Sequence, residues 1–186
     1  MTVAAPLVNP VLETRSTHRQ TARHRVSLSP GGRAARIAFV LALGYAGVSV
    51  YWGLGGTRLL GTVGGSLERA GREGGLGISM MLWSAAALKV FAAALPLLAV
   101  NRRRDARWQR TVRALAWIEC AILLVYGLVL TGVGLLIQLG VVHPTADADR
   151  RALAWHAFLW DPWFLVWGLF VLAALLLPHR RLPDGA

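Results

Sequence analysis

Four ionisable side chains stand inside otherwise apolar stretches of this chain: Lys89, Glu119, His156 and Asp161. A charge at the centre of a bilayer costs at least about 2.5 to 3.5 kcal/mol on insertion scales, so such groups turn toward the protein interior and take partners. Lys89 is the only lysine in the sequence, and Ala85, Ala86, Ala92 and Ala93 flank it at helical steps of three and four. Small residues let a second helix approach closely, which directs Lys89 into a helix contact. An amine in that position can also give up its proton, whereas a guanidinium effectively cannot. Asp161 directly precedes Pro162, a pair suited to starting a helix because the carboxylate caps free amides and proline needs no donor at the first position. A kink at Pro162 or a break there, with residues 152–160 as a short separate helix, are the two geometries. A kinked or broken helix is favoured over a clean restart, since Pro162 to Leu177 would span only about 24 Å.

Counted from the helix ends, Lys89 lies about 20 Å deep and Asp161 about 14 Å deep at 1.5 Å per residue, a difference that a lysine side chain covers. The two are therefore expected to form a central buried pair, with Glu119 as a competing partner. The plainer readings are a structural ion pair for Lys89 and, for Glu119, a side chain reaching back to water or to Arg113. His156 and His143 are imidazoles of the kind that ligate a metal or a haem. Without a cysteine or a carboxylate cluster beside them, interfacial hydrogen bonding is the ordinary explanation, and no metal or cofactor is expected. Trp160, Trp163 and Trp167 follow His156 at steps of four, three and four. That stripe either lines a site for a lipid, an isoprenoid or a quinone ring, or packs against helices and acyl chains.

The elements that must hold these residues are long and apolar. Residues 37–56, 76–100, 114–142 and 152–177 each approach or exceed the roughly 20 residues that a helix needs to cross a bilayer. With 55% hydrophobic residues and 9 acids against 20 bases, the chain is too apolar for an ordinary soluble domain. The net charge of +11 does not mark a nucleic-acid binder, because the arginines fall in short blocks between uncharged runs. The N-terminal flank, the 101–113 connection and the C-terminal tail hold fourteen arginines, and the other two connections hold five, nearly balanced by Glu68, Glu73, Asp147 and Asp149. Excess basic residues mark the cytoplasmic side, so both termini are expected there, in agreement with an even number of crossings. Cys120 is the only cysteine, which excludes an intramolecular disulfide and a C-x-x-C redox pair.

Residues 1–33 lack hydrophobic periodicity and are expected to form a disordered cytoplasmic tail, 34–178 the transmembrane domain, and 179–186 a second cytoplasmic tail. Residues 53–77 contain ten glycines. They carry no G-x-x-x-x-G-K-[ST] pattern, so a flexible or closely packed connection is expected there, not a phosphate cradle.

"YWGLGG" at 51–56, "RRR" at 102–104 and "WDPWFLVWG" at 160–168 together resemble a group of small actinobacterial membrane proteins catalogued as a domain of unknown function. The resemblance covers about residues 37–177 and implies a four-helix integral membrane protein; it carries no activity with it. The expected architecture is an all-α antiparallel bundle of four transmembrane helices in a bacterial cytoplasmic membrane. Its expected partners are membrane lipids and a second copy of the chain, without nucleic acid. The leading functional expectation is a non-enzymatic protein whose buried polar cluster supports packing or binds a small or lipid-like ligand. A small ion- or proton-coupled transporter comes next, and a membrane-embedded enzyme acting on an isoprenoid or lipid after it.

Overall fold

The computed structural model describes residues 29–101 and 105–178. The expected tails, apart from residues 29–33, lie outside the described residues, as do Arg102, Arg103 and Arg104. The described chain is helical, without strands. It folds as α1 (Pro30–Gly53), two short helices α2 (Leu60–Val63) and α3 (Gly65–Glu73), then α4 (Leu76–Val100) and α5 (Ala106–Gln138). A last helix, α6, runs over Arg150–Leu176 and contains a π turn at His156–Trp160. Four of these, α1, α4, α5 and α6, are long and apolar enough to cross a membrane.

Local chemistry sets where the long helices begin. Ser29 accepts from the Gly32 amide at 3.1 Å while Pro30 opens α1, where its missing N–H costs nothing. Asp105 accepts from the amides of Arg107 and Trp108 at the start of α5, and Asp149 from those of Arg151 and Ala152 at the start of α6. Each cap satisfies amides that have no partner within the helix. The first helix therefore starts several residues before its apolar run, and α5 starts eight residues before Ala114, because a cap and not hydropathy decides the first turn. Gly140, at φ 73°, ends α5 where a side chain would be strained.

Small residues pull the helices together. Ala35, Ala38, Ala42, Ala46 and Ser49 form a buried stripe along α1. On the other side of the bundle, α5 meets α6 at Gly127, where a Cβ would collide with the Leu165 backbone. Neighbouring helices run in opposite directions. Ser49 meets Lys89 and Gly53 meets Trp83 across α1 and α4, while Cys120 meets Gly168 and Gly134 meets Ala157 across α5 and α6. The tightest packing joins α1 to α4 and α5 to α6, and α4 touches α5 much less. Both chain ends of the bundle lie at one face, where the Gly31 amide donates to the Pro178 carbonyl at 3.4 Å. At the opposite face, α2 and α3 cover the bundle end, with Leu60 1% exposed against Trp52, Leu82 and Trp160.

Only 17% of the most apolar window of α5 is buried inside the protein. Leu128, Val125, Ile122 and Ile118 face outward. An apolar surface of that extent calls for an apolar surrounding, as lipid provides.

Helix α6 is continuous through Asp161 and Pro162. Trp160 and Asp161 both have helical dihedrals, and Asp161 is not a capping residue. The break considered from sequence is absent, and the irregularity takes the form of the π turn, closed by the Asp161 amide donating to the His156 carbonyl. The widened turn accommodates a proline without ending the helix.

Candidate functional site

Two groups of polar side chains are built into the bundle. The first lies midway along it. Lys89 of α4 donates from Nζ to Ser49 Oγ at 2.9 Å and stands 4.7 Å from the centre of the Tyr45 ring. Ser49 and Tyr45 share one face of α1 at a spacing of four residues. The hydroxyl and the ring give the ammonium a hydrogen bond and a cation–π contact in place of an anion. Tyr45 in turn packs on α6, with ring centroids 5.6 Å from Trp160, 5.7 Å from Trp163 and 4.8 Å from Phe164.

The expected Lys89–Asp161 pair is absent. No ion pair joins them, because Tyr45 stands against Lys89 on one side and against the aromatics of α6 on the other, while Asp161 is turned to His156. Glu119 does not pair with Lys89 either. It is 8% exposed, and neither of its carboxyl oxygens has a hydrogen-bond partner among the described residues. Its burial also removes the reading in which it reaches back to water.

Lys89 and Glu119 nonetheless line the same cleft, a hollow of about 440 Å³ where α4 and α5 part, with α6 behind it. Phe91, Leu95, Phe164 and Trp167 are part of the remaining, apolar wall. Trp167 is 2% exposed and its indole Nε1 also lacks a partner among the described residues. Pro96, inside α4, has no N–H to return to the carbonyl of Ala92, another residue of the cleft wall. An apolar recess with a carboxyl, an ammonium and an indole N–H around it has the character of a ligand site. Leu88, Phe91, Ile118 and Ile122 are exposed at its rim, so it opens sideways toward the surroundings of the bundle.

The second group lies at the face covered by α2 and α3. His156 Nδ1 is 3.2 Å from Asp161 Oδ1, and Nε2 is 3.3 Å from the Val63 carbonyl. Asp161 is 5% exposed. Residues five apart lie about 140° from one another around an α-helix, too far round for this contact; the π turn closes the angle. Trp160, one residue before Asp161, donates from Nε1 to Thr62 Oγ1 at 3.1 Å, and the Thr62 hydroxyl donates to the Leu59 carbonyl at 2.6 Å. Each side chain of the second group therefore has a hydrogen-bond partner.

The tryptophan stripe is divided between these roles. Trp160 anchors α2, Trp163 packs over Gly44 and donates to the Leu41 carbonyl at 3.1 Å, and only Trp167 lines the cleft. His143 lies apart from His156, in a polar hollow with Gln138 and Arg150. Ser49, Tyr45, Thr62 and Val63 carry contacts that the sequence reading did not single out. Ser49 was the most visible of them, as a hydroxyl at the end of an alanine stripe.

Residues 42–171 match the family described as "Protein of unknown function (DUF3995)". The chain belongs to that family. No curated protein and no solved structure matches it. The DUF3995 match spans both polar groups, from Tyr45 and Ser49 through Lys89 and Glu119 to His156, Asp161 and Trp167. It excludes the basic N-terminal segment.

Proposed function

We propose that this DUF3995 chain is a multi-pass protein of a bacterial cytoplasmic membrane, with both termini on the cytoplasmic side, that binds a lipid-like ligand in the cleft between α4 and α5. Its partners on this reading are membrane lipids, and its role is binding without chemistry. The excess of arginine beside the chain ends and in the 101–113 connection supports the orientation, which puts α2 and α3 outside. The observation that carries the binding reading is Glu119: a buried carboxyl without a partner beside an apolar recess that opens sideways. A buried polar group without a partner is destabilising, so a protein that keeps one at the wall of a cleft has a use for it there. The apolar walls suit a hydrocarbon chain, which gains roughly 0.8 kcal/mol per methylene moved out of water, though little relative to bulk lipid. Selectivity over bulk lipid then rests on the polar groups.

The test is crosslinking in nanodiscs with a lipid carrying a diazirine in its chain, read by peptide mapping. Labels are expected on residues 85–95 and 115–123 and should be reduced by Glu119→Leu, which fills the recess. Uniform labelling along the exposed face of α5, unchanged by that substitution, would overturn the reading.

A second reading is a small proton-coupled carrier. Lys89 and Glu119, of opposite charge type, line one cleft at mid-bundle, as groups that exchange protons with a cargo must. Proteoliposome flux that disappears in both Lys89→Met and Glu119→Gln while lipid labelling persists would favour it.

A further inference from the structure

The polar group at the α2–α3 end has a proton count that decides its geometry. His156 faces two acceptors, the Asp161 carboxylate at Nδ1 and the Val63 carbonyl at Nε2. A neutral imidazole carries one N–H and can serve one of them; only the imidazolium donates to both. The two acceptors lie on different elements: Asp161 belongs to α6, and Val63 ends α2.

We propose that α2 and α3 form a lid fastened to the bundle by the second proton of His156, and that loss of this proton releases the lid. Other contacts help to seat the lid. They include the Trp160–Thr62 bond, the donation from Trp52 Nε1 to the Arg58 carbonyl at 2.8 Å, the burial of Leu60, the packing of Val63 and Leu67 beside it, and the approach of Gly64 to Ala152. Glycines punctuate it. Gly55 before α2, Gly64 and Gly65 between α2 and α3, and Gly74 and Gly75 after α3 all have positive φ, which lets the chain turn sharply there. Two residues of the lid itself, Glu68 and Arg72, pair with each other at 2.8 Å and not with the bundle. The π turn is what sets His156 and Asp161 together, and such turns recur where a helix serves a function beyond packing.

The charged and titratable groups around His156 are these. Asp161 faces it from the same helix, and Asp149, at the start of α6, lies beside Gly64 of the lid. Tyr45 of α1 and Tyr126 of α5 are close enough to Asp161 to interact with its charge. Glu68 and Arg72 of α3 lie over Gly61 and neutralise one another. Asp161 is the only one of these that makes an ion pair with His156. The sign follows. At low pH both ring nitrogens donate and the lid is held. As pH rises through the titration of His156, one acceptor loses its donor. The bond to the neutral Val63 carbonyl is the weaker of the two, so it is the one that opens.

Hydrogen–deuterium exchange of the full chain in nanodiscs tests this, with rates corrected for the intrinsic pH dependence of exchange. Protection over residues 60–73 should fall at least about fivefold between roughly pH 5.5 and 8.5, while protection over 112–123, in the bundle core, stays constant. His156→Gln should abolish the pH response, and so should Asp161→Asn, whose side-chain amide donates to the unprotonated Nδ1 and leaves Nε2–H for the Val63 carbonyl at every pH. Wild-type protection over 60–73 that does not change with pH overturns the proposal without recourse to any variant. So does a parallel loss over 112–123, which would mean global unfolding, and so does an unaltered pH response in His156→Gln.

Discussion

The bundle treats its two polar groups in opposite ways. At the α2–α3 end, His156, Asp161, Trp160 and Thr62 each have a partner, and together they bind a connection to a spanning helix. Midway along the bundle, Glu119 and the indole of Trp167 are buried as deeply but have no partner among the described residues. Burial and residue type do not separate the groups, since each contains a carboxyl and an indole. What separates them is the backbone: the π turn in α6 bends one carboxyl onto a histidine, whereas Glu119 sits in regular helix beside a gap between α4 and α5. A satisfied polar network specifies one arrangement, and an unsatisfied one weakens the fold that carries it.

That contrast fixes the sign as well as the size of what substitutions should do. Asp161→Ala removes the partner of His156 Nδ1; at a pH where the imidazolium is present, breaking a buried pair costs about 3 to 5 kcal/mol, and the partial exposure of His156 puts the loss at the lower end. Chemical unfolding in a mild detergent should show it as the largest destabilisation of the set, and a neutral result would remove the pair from the account. Glu119→Leu should act in the opposite direction, stabilising the protein by about 1 to 2 kcal/mol, because it replaces an unpaired polar group with an apolar one. Destabilisation by this variant would mean that Glu119 has a structural partner after all. The finest comparison sets two tryptophans against each other. Trp160→Phe loses a hydrogen bond to Thr62 as well as ring area, whereas Trp167→Phe gives up only an indole that has no bond to lose. The first should cost about 1 kcal/mol more than the second in the same unfolding assay. Equal costs would show that packing alone holds both rings.

Much of this architecture is written in the sequence. The residues of α4 and its bounds, Leu76 to Val100, can be read from hydropathy alone, because a bilayer-length apolar run flanked by glycine and arginine has one economical solution. The other helix starts shift by up to eight residues where Ser29, Asp105 and Asp149 cap helices that hydropathy starts later. The four ionisable residues within the helices were also visible, as charges in apolar runs. Their partners were not. Partner choice depends on the rotational phase of each helix, and a single π turn re-phases every side chain beyond it, including Asp161 and the tryptophans after it. Sequence spacing assumed a uniform 3.6-residue repeat, which placed Trp160, Trp163 and Trp167 on one stripe with His156, and depth along the helices alone paired Asp161 with Lys89.

The sequence by itself determined how many times the chain reverses, which segments are apolar and which polar residues lie within them, since these follow from composition and local capping. Only the tertiary structure decided that Lys89 takes a serine and a tyrosine, that Asp161 takes a histidine, and that Glu119 takes neither. Lys89 and Ser49 stand forty residues apart in the chain, and Asp161 reaches a histidine five residues away only through a π turn that residue spacing does not announce, so a shift of one helical turn exchanges one partner for another.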